Sequence, residues 1–341
     1  MPKQKQHILV IRLSAMGDVA MSVPVLKAVT TQYPELKITV LTRPFFAPFF
    51  RDLPQVNVFE ADLKGAHKGV LGLFKLSKTL KKQGVNAVAD IHNVLRTKIL
   101  KLFFGGTAFK QIDKGRAEKK ELTQGKIFMP LKSTHERYAD VFKALGFPVD
   151  LSQPAFSKPV ILSDKLLNIT GSHDKTWIGI APFAAHESKM YPLEQMKMVI
   201  AELSKTYKVF LFGGGKKETE ILNEIQVEFE GVINLAGKLN LDEELDVISN
   251  LDVMLSMDSG NGHMAAMLGK KVITIWGVTH PYAGFAPFNQ PADYCLTANR
   301  EEFPLIPTSV YGNKFPEGYE KVAASIAPET IIEKIKSVIQ N

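Results

Sequence analysis

The sequence predicts an α/β protein built from two doubly wound parallel sheets, one in each half of the chain. Short apolar segments alternate with segments of helical spacing up to residue 145, and the alternation starts again at Trp177. Such an alternation is typical of parallel strands joined by helical crossovers. A length of 341 residues and a hydrophobic content of 45% favour two domains, each with its own core.

The first series begins with an apolar strand over residues 7–13 and a helix over 19–31. Pro24 should lie in or near the first turn of that helix, or else kink it. An aromatic loop is predicted at 44–50, and residues 105–130 form a further αβ step with a basic loop. The remaining strands of this series are predicted at 37–42, 56–59 and 85–90, and the remaining helices at 71–83, 94–104 and 135–145.

Residues 148–172 contain three prolines and are the best candidate for a linker. The chain after Pro287 should be irregular until an amphipathic helix at 328–340. The predicted domains are 1–160 and 161–327, followed by a segment, 328–341, that is a candidate to pack back on the first domain. The second series predicts strands at 177–181, 208–212, 232–235, 251–257 and 272–276, and helices at 193–206, 217–229 and 242–250.

The composition excludes several classes of protein. No apolar run approaches the roughly 18–20 residues that span a bilayer, and the mean hydropathy is -0.01. The start of the chain lacks the apolar core and the cleavage site of a signal peptide. Cys295 is the only cysteine, which rules out an internal disulfide framework and a cysteine-based zinc cluster. These features predict a cytoplasmic protein.

Charge is distributed unevenly along the chain. Residues 1–160 carry 26 Lys and Arg against 12 Asp and Glu, a net charge of +14, whereas residues 161–341 carry 16 against 23, a net charge of −7. The basic first half predicts an anionic partner, such as a phosphorylated acceptor, a membrane surface or nucleic acid. The alternative is a solvated basic surface without a partner. Nucleic acid is the weakest option, because the sequence shows no known binding motif.

The most informative stretch is the polar, glycine-rich turn 258–262, which follows an apolar strand and leads into a helix. Such a turn presents unpaired N–H groups and the positive end of the helix dipole, which suits phosphate. Gly260 and Gly262 would let the backbone approach the anion closely. The alternative is an ordinary turn between strand and helix, in which Asp258 or Ser259 caps the helix.

The turns that follow the predicted strands should converge on one cleft, because ligands of open parallel sheets bind beyond the carboxyl ends of the strands. Two nucleotide-binding classes are excluded. Neither the turn 14–18 nor the turn 213–215 continues as G-x-G-x-x-G, and the chain has no G-x-x-x-x-G-K-[ST] loop. The converging turns are 17–18, 90–92, 182–189, 213–215 and 258–263.

Three stretches together carry a family resemblance. They read IRLSAMGDVAMSVPVLKAV at 11–29, APFAAHESKMYP at 181–192 and MDSGNGHMAAMLGKKVITIWGVTHP at 257–281. In this order and separation they resemble glycosyltransferase family 9, the ADP-heptose:lipopolysaccharide heptosyltransferases. The resemblance spans most of the chain, and it implies the GT-B fold, in which two Rossmann-like parallel-sheet domains face a central cleft.

The resemblance implies an inverting, metal-independent enzyme without a cofactor, which moves a heptose from ADP-heptose to a lipopolysaccharide core or a related cell-envelope glycan. Asp18 matches the family's general base, which takes the proton of the acceptor hydroxyl so that the oxygen attacks the anomeric carbon. A helix N-terminus favours the ionised carboxylate that a base requires. The alternative role for Asp18 is an ordinary N-cap of the following helix.

The resemblance also implies a donor site. Glu220 is an alternative to Glu218 at the ribose, and His92 fits a satisfied polar residue at a strand end better than a catalytic group. Arg43 and Arg96 are candidates for binding a phosphate or carboxylate of the acceptor. The residues that match the donor site are Lys189 at the diphosphate, Glu218 at the ribose, and Asp258, Ser259, Gly260, Gly262 and His263 in the phosphate turn.

Ala184 and Ala185 depart from the family pattern, which often has paired threonines here. Two hydroxyl donors to the phosphates are therefore missing, and Ser188 or backbone amides are the alternative donors. This leaves open a transferase of another nucleotide sugar, or a catalytically silent protein that binds a nucleotide sugar. The implied partners are the sugar donor and an anionic lipid-linked glycan acceptor, with peripheral contact at the inner face of the cytoplasmic membrane and no nucleic acid.

Overall fold

The chain folds into two compact units. A computed structural model describes residues 6–340. The first unit runs to Lys114 and includes Thr134–Ala155, and the second comprises Gly115–Ser133 and the chain from Phe156 onward. Residues 1–5 of the predicted first domain and residue 341 of the predicted terminal segment lie outside the described residues.

The first unit is built on a parallel sheet of five strands: β1 (His7–Ile11), β2 (Lys37–Thr42), β3 (Val56–Glu60), β4 (Ala87–Asp90) and β5 (Ala108–Gln111). The strand order is β3-β2-β1-β4-β5. Every residue of β1 is buried, as expected for a central strand covered on both faces. The chain leaves β1 on one side, through β2 and β3, and returns on the other side at β4. The sheet therefore has a topological switch point between β1 and β4.

Helices cover this sheet. Two of them, α2 (Gly69–Lys82) and α3 (Leu95–Phe103), pack against each other and bury leucines and phenylalanines in a core with β1 and β4. The helix α1 (Met16–Gln32) is predominantly buried and packs against α5 (Thr134–Ala144). The helices in this part of the chain are α1 (Met16–Gln32), α2 (Gly69–Lys82), α3 (Leu95–Phe103), α4 (Arg116–Thr123) and α5 (Thr134–Ala144), of which α4 belongs to the second unit.

The second unit is built on six parallel strands: β6 (Trp177–Ala181), β7 (Lys208–Leu211), β8 (Val232–Asn234), β9 (Val253–Met257), β10 (Lys271–Trp276) and β11 (Cys295–Thr297). Their order is β11-β10-β9-β6-β7-β8, and the switch point lies between β6 and β9. The edge strand β11 pairs with β10 and lies in the part of the chain that was predicted to be irregular. Its three residues are too few for a clear alternation of apolar and polar positions.

The last helix completes the core of the second unit. Its apolar residues recur at helical spacing and are buried against α7 (Leu193–Ser204) and β9. The segment that is a candidate to pack back on the first domain thus contributes Ile331, Ile335 and Val338 to the core of the second unit. The helices here are α6 (Asp164–Thr170), α7 (Leu193–Ser204), α8 (Gly215–Glu228), α9 (Leu241–Ser249), α10 (Gly260–Met267) and α11 (Pro328–Gln340).

The segment Gly115–Ser133 differs most from the expected domain boundary, since it precedes α5 in sequence and yet belongs to the second unit. Contacts of cations with aromatic rings hold it there. The Lys119 ammonium lies 4.0 Å from the centre of the Phe285 ring, and the Arg300 guanidinium lies 3.4 Å from the centre of the Phe128 ring. These partners are more than 150 residues apart in sequence, so local patterns do not reveal them.

Smaller differences concern element ends. Helix α1 begins at Met16, three residues earlier than expected, so that Pro24 lies in the helix interior and not in its first turn. The predicted linker 148–172 contains α6, where the Ser163 side chain accepts a hydrogen bond from the N–H of Leu166. Among residues 6–340, no helix combines the length and the apolar character needed to cross a bilayer.

Candidate active site

Polar side chains gather at the carboxyl edge of each sheet, at its switch point. In the first unit they follow β1 and β4, and in the second they follow β6 and β9. In open parallel sheets, this is the position where ligands bind. Each unit therefore carries its own candidate subsite. Within residues 6–340, no group of three or more His, Cys, Asp or Glu side chains is placed to hold a metal ion.

Asp18 lies in the first turn of α1, directly after β1. Its Oδ2 accepts a hydrogen bond from the N–H of Ala15 at 3.3 Å and forms an ion pair with Nη2 of Arg12. Ala15 is the N-cap residue, so Asp18 is the third residue of the helix and not its N-cap. The Asp18 side chain is 29% exposed. The carboxylate is therefore held in place and still accessible to a substrate.

A buried arginine fixes the position of Asp18. Arg12 donates a hydrogen bond from Nη1 to the carbonyl oxygen of Ile91 at 2.8 Å. Tyr138 lies beneath the guanidinium, 5.8 Å from ring centre to Cζ, and its hydroxyl donates to the carbonyl oxygen of Asp18 at 3.2 Å. Burial raises the pKa of Tyr138, so this hydroxyl stays a donor. Sequence reasoning missed both residues, although Arg12 stands within the first motif.

His92 follows β4 and faces the same turn. Its Nε2 lies 3.5 Å from the hydroxyl oxygen of Ser14, whereas Nδ1 is buried without a hydrogen-bond partner in the described part of the chain. Burial, and next the positive charge of Arg12, lower the pKa of His92 to about 3. The ring is therefore neutral at physiological pH. The prediction of a satisfied polar residue is wrong for one of the two ring nitrogens.

Arg43 follows β2 and lines an open pocket of about 600 Å³, which the turn 14–16 and Lys64 also line. Its Nε donates to the carbonyl oxygen of Leu13 at 2.9 Å, and its guanidinium lies 4.7 Å from the centre of the Phe46 ring. The side chain is thus anchored at its base and carries a positive charge at the rim of the pocket beside the Asp18 turn.

Arg96 is the second residue of α3 and is exposed. Its charge is among those that lower the pKa of His92, so it lies within electrostatic reach of the Asp18 turn. Since β2 and β4 end at the same edge of the sheet, Arg43 and Arg96 share that edge with Asp18. Cations on this edge suit an anionic ligand.

The subsite of the second unit is centred on an ion pair. Asp258 follows β9, and its Oδ2 lies 2.8 Å from Nζ of Lys189 and accepts a hydrogen bond from the Thr279 hydroxyl at 2.9 Å. Both charged side chains are largely buried, at 9% and 12% exposure. Two predicted donor residues are therefore in direct contact. Thr279, which sequence reasoning missed, completes the surroundings of a carboxylate that burial alone would destabilise.

The loop at Gly312 makes room for the stem of Lys189. Gly312 has a φ of +84°, and a Cβ at this position would lie 2.5 Å from Cγ of Lys189. Ser188 is buried and donates a hydrogen bond to the carbonyl oxygen of Gly312 at 2.5 Å. The Ser188 hydroxyl therefore fastens the loop against Lys189. Because the Ser188 proton is donated to Gly312, the backbone amides remain the alternative donors in place of the threonine hydroxyls.

The glycine-rich stretch forms the first turn of α10 and not a separate turn before the helix. The N-cap residue is Ser259, but its side chain makes no capping hydrogen bond. Its hydroxyl oxygen is buried and lacks a partner among the described residues. The reading of Ser259 as an ordinary cap is therefore wrong. The first N–H groups of α10, from Gly260 onward, receive no cap from it.

Two further residues of the same motif, Gly262 and His263, are buried. A Cβ at Gly262 would lie 2.5 Å from the hydroxyl oxygen of Ser256, so glycine lets α10 lie close against β9. His263 is buried at 7% exposure, in the second turn of the helix. Close packing therefore accounts for the glycine at position 262 without any bound anion. An anion would be better placed at the N–H groups of the first turn of α10, at Gly260.

A pocket of about 420 Å³ lies at the carboxyl ends of β6 and β7, lined by Phe183, Ala184, Tyr191 and Glu218 among others. It has the size and apolar character of small-ligand sites. Glu218 accepts a hydrogen bond from the N–H of Gly214 at 2.8 Å, which points its carboxylate toward the turn after β7.

Glu220 has a different setting from Glu218. It is exposed on α8, where it lies 3.9 Å from the ammonium of Lys216, and it does not line the pocket. An ion pair so exposed to solvent contributes little to stability. Of the two alternatives for a ribose ligand, the structure therefore favours Glu218.

The turn 187–190 connects this pocket to the ion pair. Glu187 and Met190 line the pocket, while Lys189 between them reaches Asp258. A ligand with a flat apolar end and an anionic end could therefore place the first in the pocket and the second beside Lys189 and the N-terminus of α10.

Glu244 on α9 contacts the first turn of α10, where its Oε1 accepts a hydrogen bond from Nδ2 of Asn261 at 3.3 Å. Burial raises the pKa of Glu244 from 4.5 to about 7. The folded protein therefore binds this proton more tightly than the unfolded chain, so the stabilisation is complete below pH 4.5 and is lost as the pH rises toward 7.

Glu244→Gln should remove this loss of stability. We expect the variant and the parent to unfold at similar urea concentrations at pH 4.5, and the variant to be more stable by about 3 kcal/mol at pH 8. Urea unfolding across this pH range is the measurement, with Glu220→Gln as a control on an exposed carboxylate. If the stability of the parent protein does not decline relative to that of Glu244→Gln as the pH rises, Glu244 ionises freely in the folded protein.

The two α/β units, each with a polar subsite at its switch point, define a GT-B fold. A glycosyltransferase family 9 structure from Veillonella parvula superposes with a TM-score of 0.78 at 18% identity, over 100% of this chain and 99% of that chain. The Escherichia coli heptosyltransferase WaaC with ADP gives a TM-score of 0.67 at 18% identity, over 98% of each chain. The predicted fold class is confirmed.

The sequence then gives the family. The sequence model of glycosyltransferase family 9 (heptosyltransferase) matches residues 73–306. The lipopolysaccharide core heptosyltransferase OpsX of Haemophilus influenzae is 26% identical over 294 residues, which cover 83% of this chain and 82% of that protein. The chain belongs to glycosyltransferase family 9 and is a glycosyltransferase, as the resemblance of its three motifs predicted.

Proposed function

We propose that this chain transfers a heptose from ADP-heptose to a lipopolysaccharide core or a related envelope glycan, with inversion at the anomeric carbon. The observation that carries the proposal is the Lys189–Asp258 pair, 2.8 Å apart, next to a pocket sized for a nucleoside. Membership of the heptosyltransferase family and the 26% identity to OpsX support heptose as the sugar and lipopolysaccharide core as the acceptor.

On the donor side, the nucleoside occupies the pocket and the Glu218 carboxylate accepts hydrogen bonds from the ribose hydroxyls. The diphosphate lies against Lys189 and the N–H groups at the start of α10. When the bond from the anomeric carbon to the phosphate oxygen breaks, negative charge accumulates on the leaving ADP. A buried ammonium and a helix N-terminus stabilise that charge without reorganisation. Ser259, whose hydroxyl lacks a partner within residues 6–340, is a further donor to the phosphates.

On the acceptor side, Asp18 takes the proton of the acceptor hydroxyl as its oxygen bonds to the anomeric carbon. Arg12 and Tyr138 hold the carboxylate and its backbone in place, so Asp18 acts as a positioned base. Arg43 and Arg96 bind phosphate or carboxylate groups of the acceptor. The enzyme acts in the cytoplasm, at the inner face of the cytoplasmic membrane, on a lipid-linked acceptor and without a resident metal or cofactor.

Binding of ADP, UDP and GDP, measured by calorimetry, tests the donor assignment. We expect ADP to bind most tightly, and ADP-heptose to support transfer that other nucleotide sugars do not. Ala184 lines the pocket at a position where the family often has a threonine hydroxyl. If ADP is not preferred, this alanine favours a different nucleotide sugar as the substrate. Preference for UDP or GDP would mean that the sugar donor carries that nucleotide. Binding of none of the three nucleotides would favour a catalytically silent scaffold protein.

A matched pair of variants then tests the ribose contact. Glu218→Gln should weaken ADP binding by about tenfold, because an ionised carboxylate accepts stronger hydrogen bonds than a neutral amide. Glu220→Gln, two residues along the same helix but outside the pocket, should leave the affinity unchanged. Equal effects of the two substitutions would argue against a ribose contact by Glu218.

A further inference from the structure

One surface of the first unit combines exposed apolar side chains with a high density of lysines. On α2, Leu71 is 78% exposed, and on α3, Leu102 is 77% exposed. The two helices pack side by side, and the rings of Phe74 and Phe103 meet edge to face with centres 5.4 Å apart. We name as the α2–α3 face the exposed side chains of Val70, Leu71, Phe74 and Leu102, together with Lys75, Lys78, Lys98 and Lys101.

The apolar and basic side chains of this face follow helical spacing. Lys75 lies four residues after Leu71, and Lys78 lies four residues after Phe74, so each lysine flanks an apolar neighbour. The ammonium of Lys78 is 4.4 Å from the centre of the Phe74 ring. A lysine in this arrangement lays its aliphatic stem along apolar surface and keeps its charge outside.

Almost no carboxylate in the surrounding sequence balances the positive charge of the α2–α3 face. Residues 63–112 contain ten Lys and Arg and a single carboxylate, Asp90. Asp90 is fully buried at the end of β4, where it accepts hydrogen bonds from the N–H groups of His92 and Asn93. The helices α2 and α3 therefore present a purely cationic rim around their exposed leucines.

We infer that the α2–α3 face docks on the surface of an anionic phospholipid bilayer. Exposed leucine and phenylalanine side chains can enter the boundary between headgroups and acyl chains, and the surrounding lysines can meet the lipid phosphates. A protein partner fits less well, since lysine is depleted from the cores of protein interfaces. Nucleic acid fits less well too, because leucine side chains offer bases no stacking surface and the Phe74 ring is already in contact with the Lys78 ammonium and Phe103. This inference deepens the proposed location at the inner face of the cytoplasmic membrane, and it does not depend on which sugar or acceptor the enzyme uses.

Sedimentation of the purified full chain with lipid vesicles tests the inference. The probes are vesicles of phosphatidylcholine alone, and vesicles of phosphatidylcholine with about one third phosphatidylglycerol, an anionic content chosen to resemble a negatively charged leaflet. We expect binding to the anionic vesicles that is weakened, but not abolished, by high salt, because the apolar contribution is insensitive to screening. Absence of binding to anionic vesicles would overturn the proposal.

Two independent pairs of substitutions locate the docking surface. Leu71→Gln with Leu102→Gln should lower the partition onto anionic vesicles by about 10- to 100-fold. Lys75→Glu with Lys78→Glu should lower it by about tenfold or more, through lost attraction and added repulsion. The matched control is Ile161→Gln with Val227→Gln, which removes two equally exposed apolar side chains from the second unit and should change nothing.

Retained ADP binding in each variant shows that the second unit is folded, and an unchanged circular dichroism melting curve shows the same for the first. Vesicle binding that survives both α2–α3 pairs would overturn the assignment of this face. Tighter binding to a polyuridylate strand than to the vesicles, with no loss in Leu71→Gln/Leu102→Gln, would assign the lysines to nucleic acid and would also overturn it.

Discussion

Replacing Asp18 by asparagine is expected to reduce the rate of glycosyl transfer by about 10²- to 10⁴-fold, because a neutral amide cannot take the proton of the acceptor hydroxyl. Asparagine keeps the shape of the side chain and can still accept a hydrogen bond from Arg12. The loss should therefore fall on turnover and not on donor affinity. Single-turnover transfer and ADP calorimetry on the same preparation measure the two quantities separately.

The control for this prediction lies at the other end of the same helix. Glu35→Gln changes an exposed carboxylate just beyond the C-terminus of α1 and should leave transfer unchanged. Asp18→Asn also leaves the Arg12 guanidinium, which is 7% exposed, without its carboxylate partner. A lowered melting temperature is thus expected in the variant. Turnover within a few-fold of the parent enzyme would remove Asp18 from the role of base.

The sheets could be predicted from sequence because their strands are short runs of buried apolar residues, as β1 and β9 are. Helix ends were less predictable where glycine is present. The stretch that begins α10 was assigned to a turn, since Gly260 and Gly262 lower helix propensity. In the structure Gly262 is required for close packing against Ser256, a contact that only the fold reveals.

Prediction of the site from sequence has the same limit: residues in short motifs can be selected, but their long-range contacts cannot. Asp18, Lys189 and Asp258 stand in short motifs, and a family resemblance suffices to select them. Two of the groups that hold them in place, Tyr138 and Gly312, lie outside these motifs. Tyr138 lies 120 residues from Asp18, and Gly312, which makes room for the Lys189 stem, lies 124 residues from its hydrogen-bond partner Ser188. Such supporting contacts are set by tertiary packing, and no periodicity along the chain encodes them.

The membership of Gly115–Ser133 in the second unit has the same physical origin. The helix α4 has a recognisable basic pattern, but nothing local selects the unit on which it packs. That choice depends on the Phe285 ring for Lys119, and on Arg300 and His280 for Phe128. Each pair forms only when the fold of the second unit brings together residues that are more than 150 positions apart in sequence.

Lys189→Met is expected to weaken ADP binding by about 10- to 100-fold, because a charge-assisted contact to phosphate contributes about 1.5–3 kcal/mol. Methionine keeps the aliphatic stem that packs beside Gly312, so the loop should retain its position. The matched control is Lys216→Met on α8, where the lysine side chain is 91% exposed. Calorimetric titration of ADP into the three proteins is the measurement.

The same substitution leaves the Asp258 carboxylate buried, with Thr279 as its remaining polar partner among the described residues, which should cost about 3 kcal/mol of stability. A second substitution separates this structural effect from phosphate binding. Lys189→Met/Asp258→Asn removes the unpaired charge and should recover much of the stability, since asparagine can still accept from Thr279. If Lys189 binds phosphate, ADP affinity should stay low in the double variant. Recovery of affinity together with stability would mean that Lys189 serves only to neutralise Asp258.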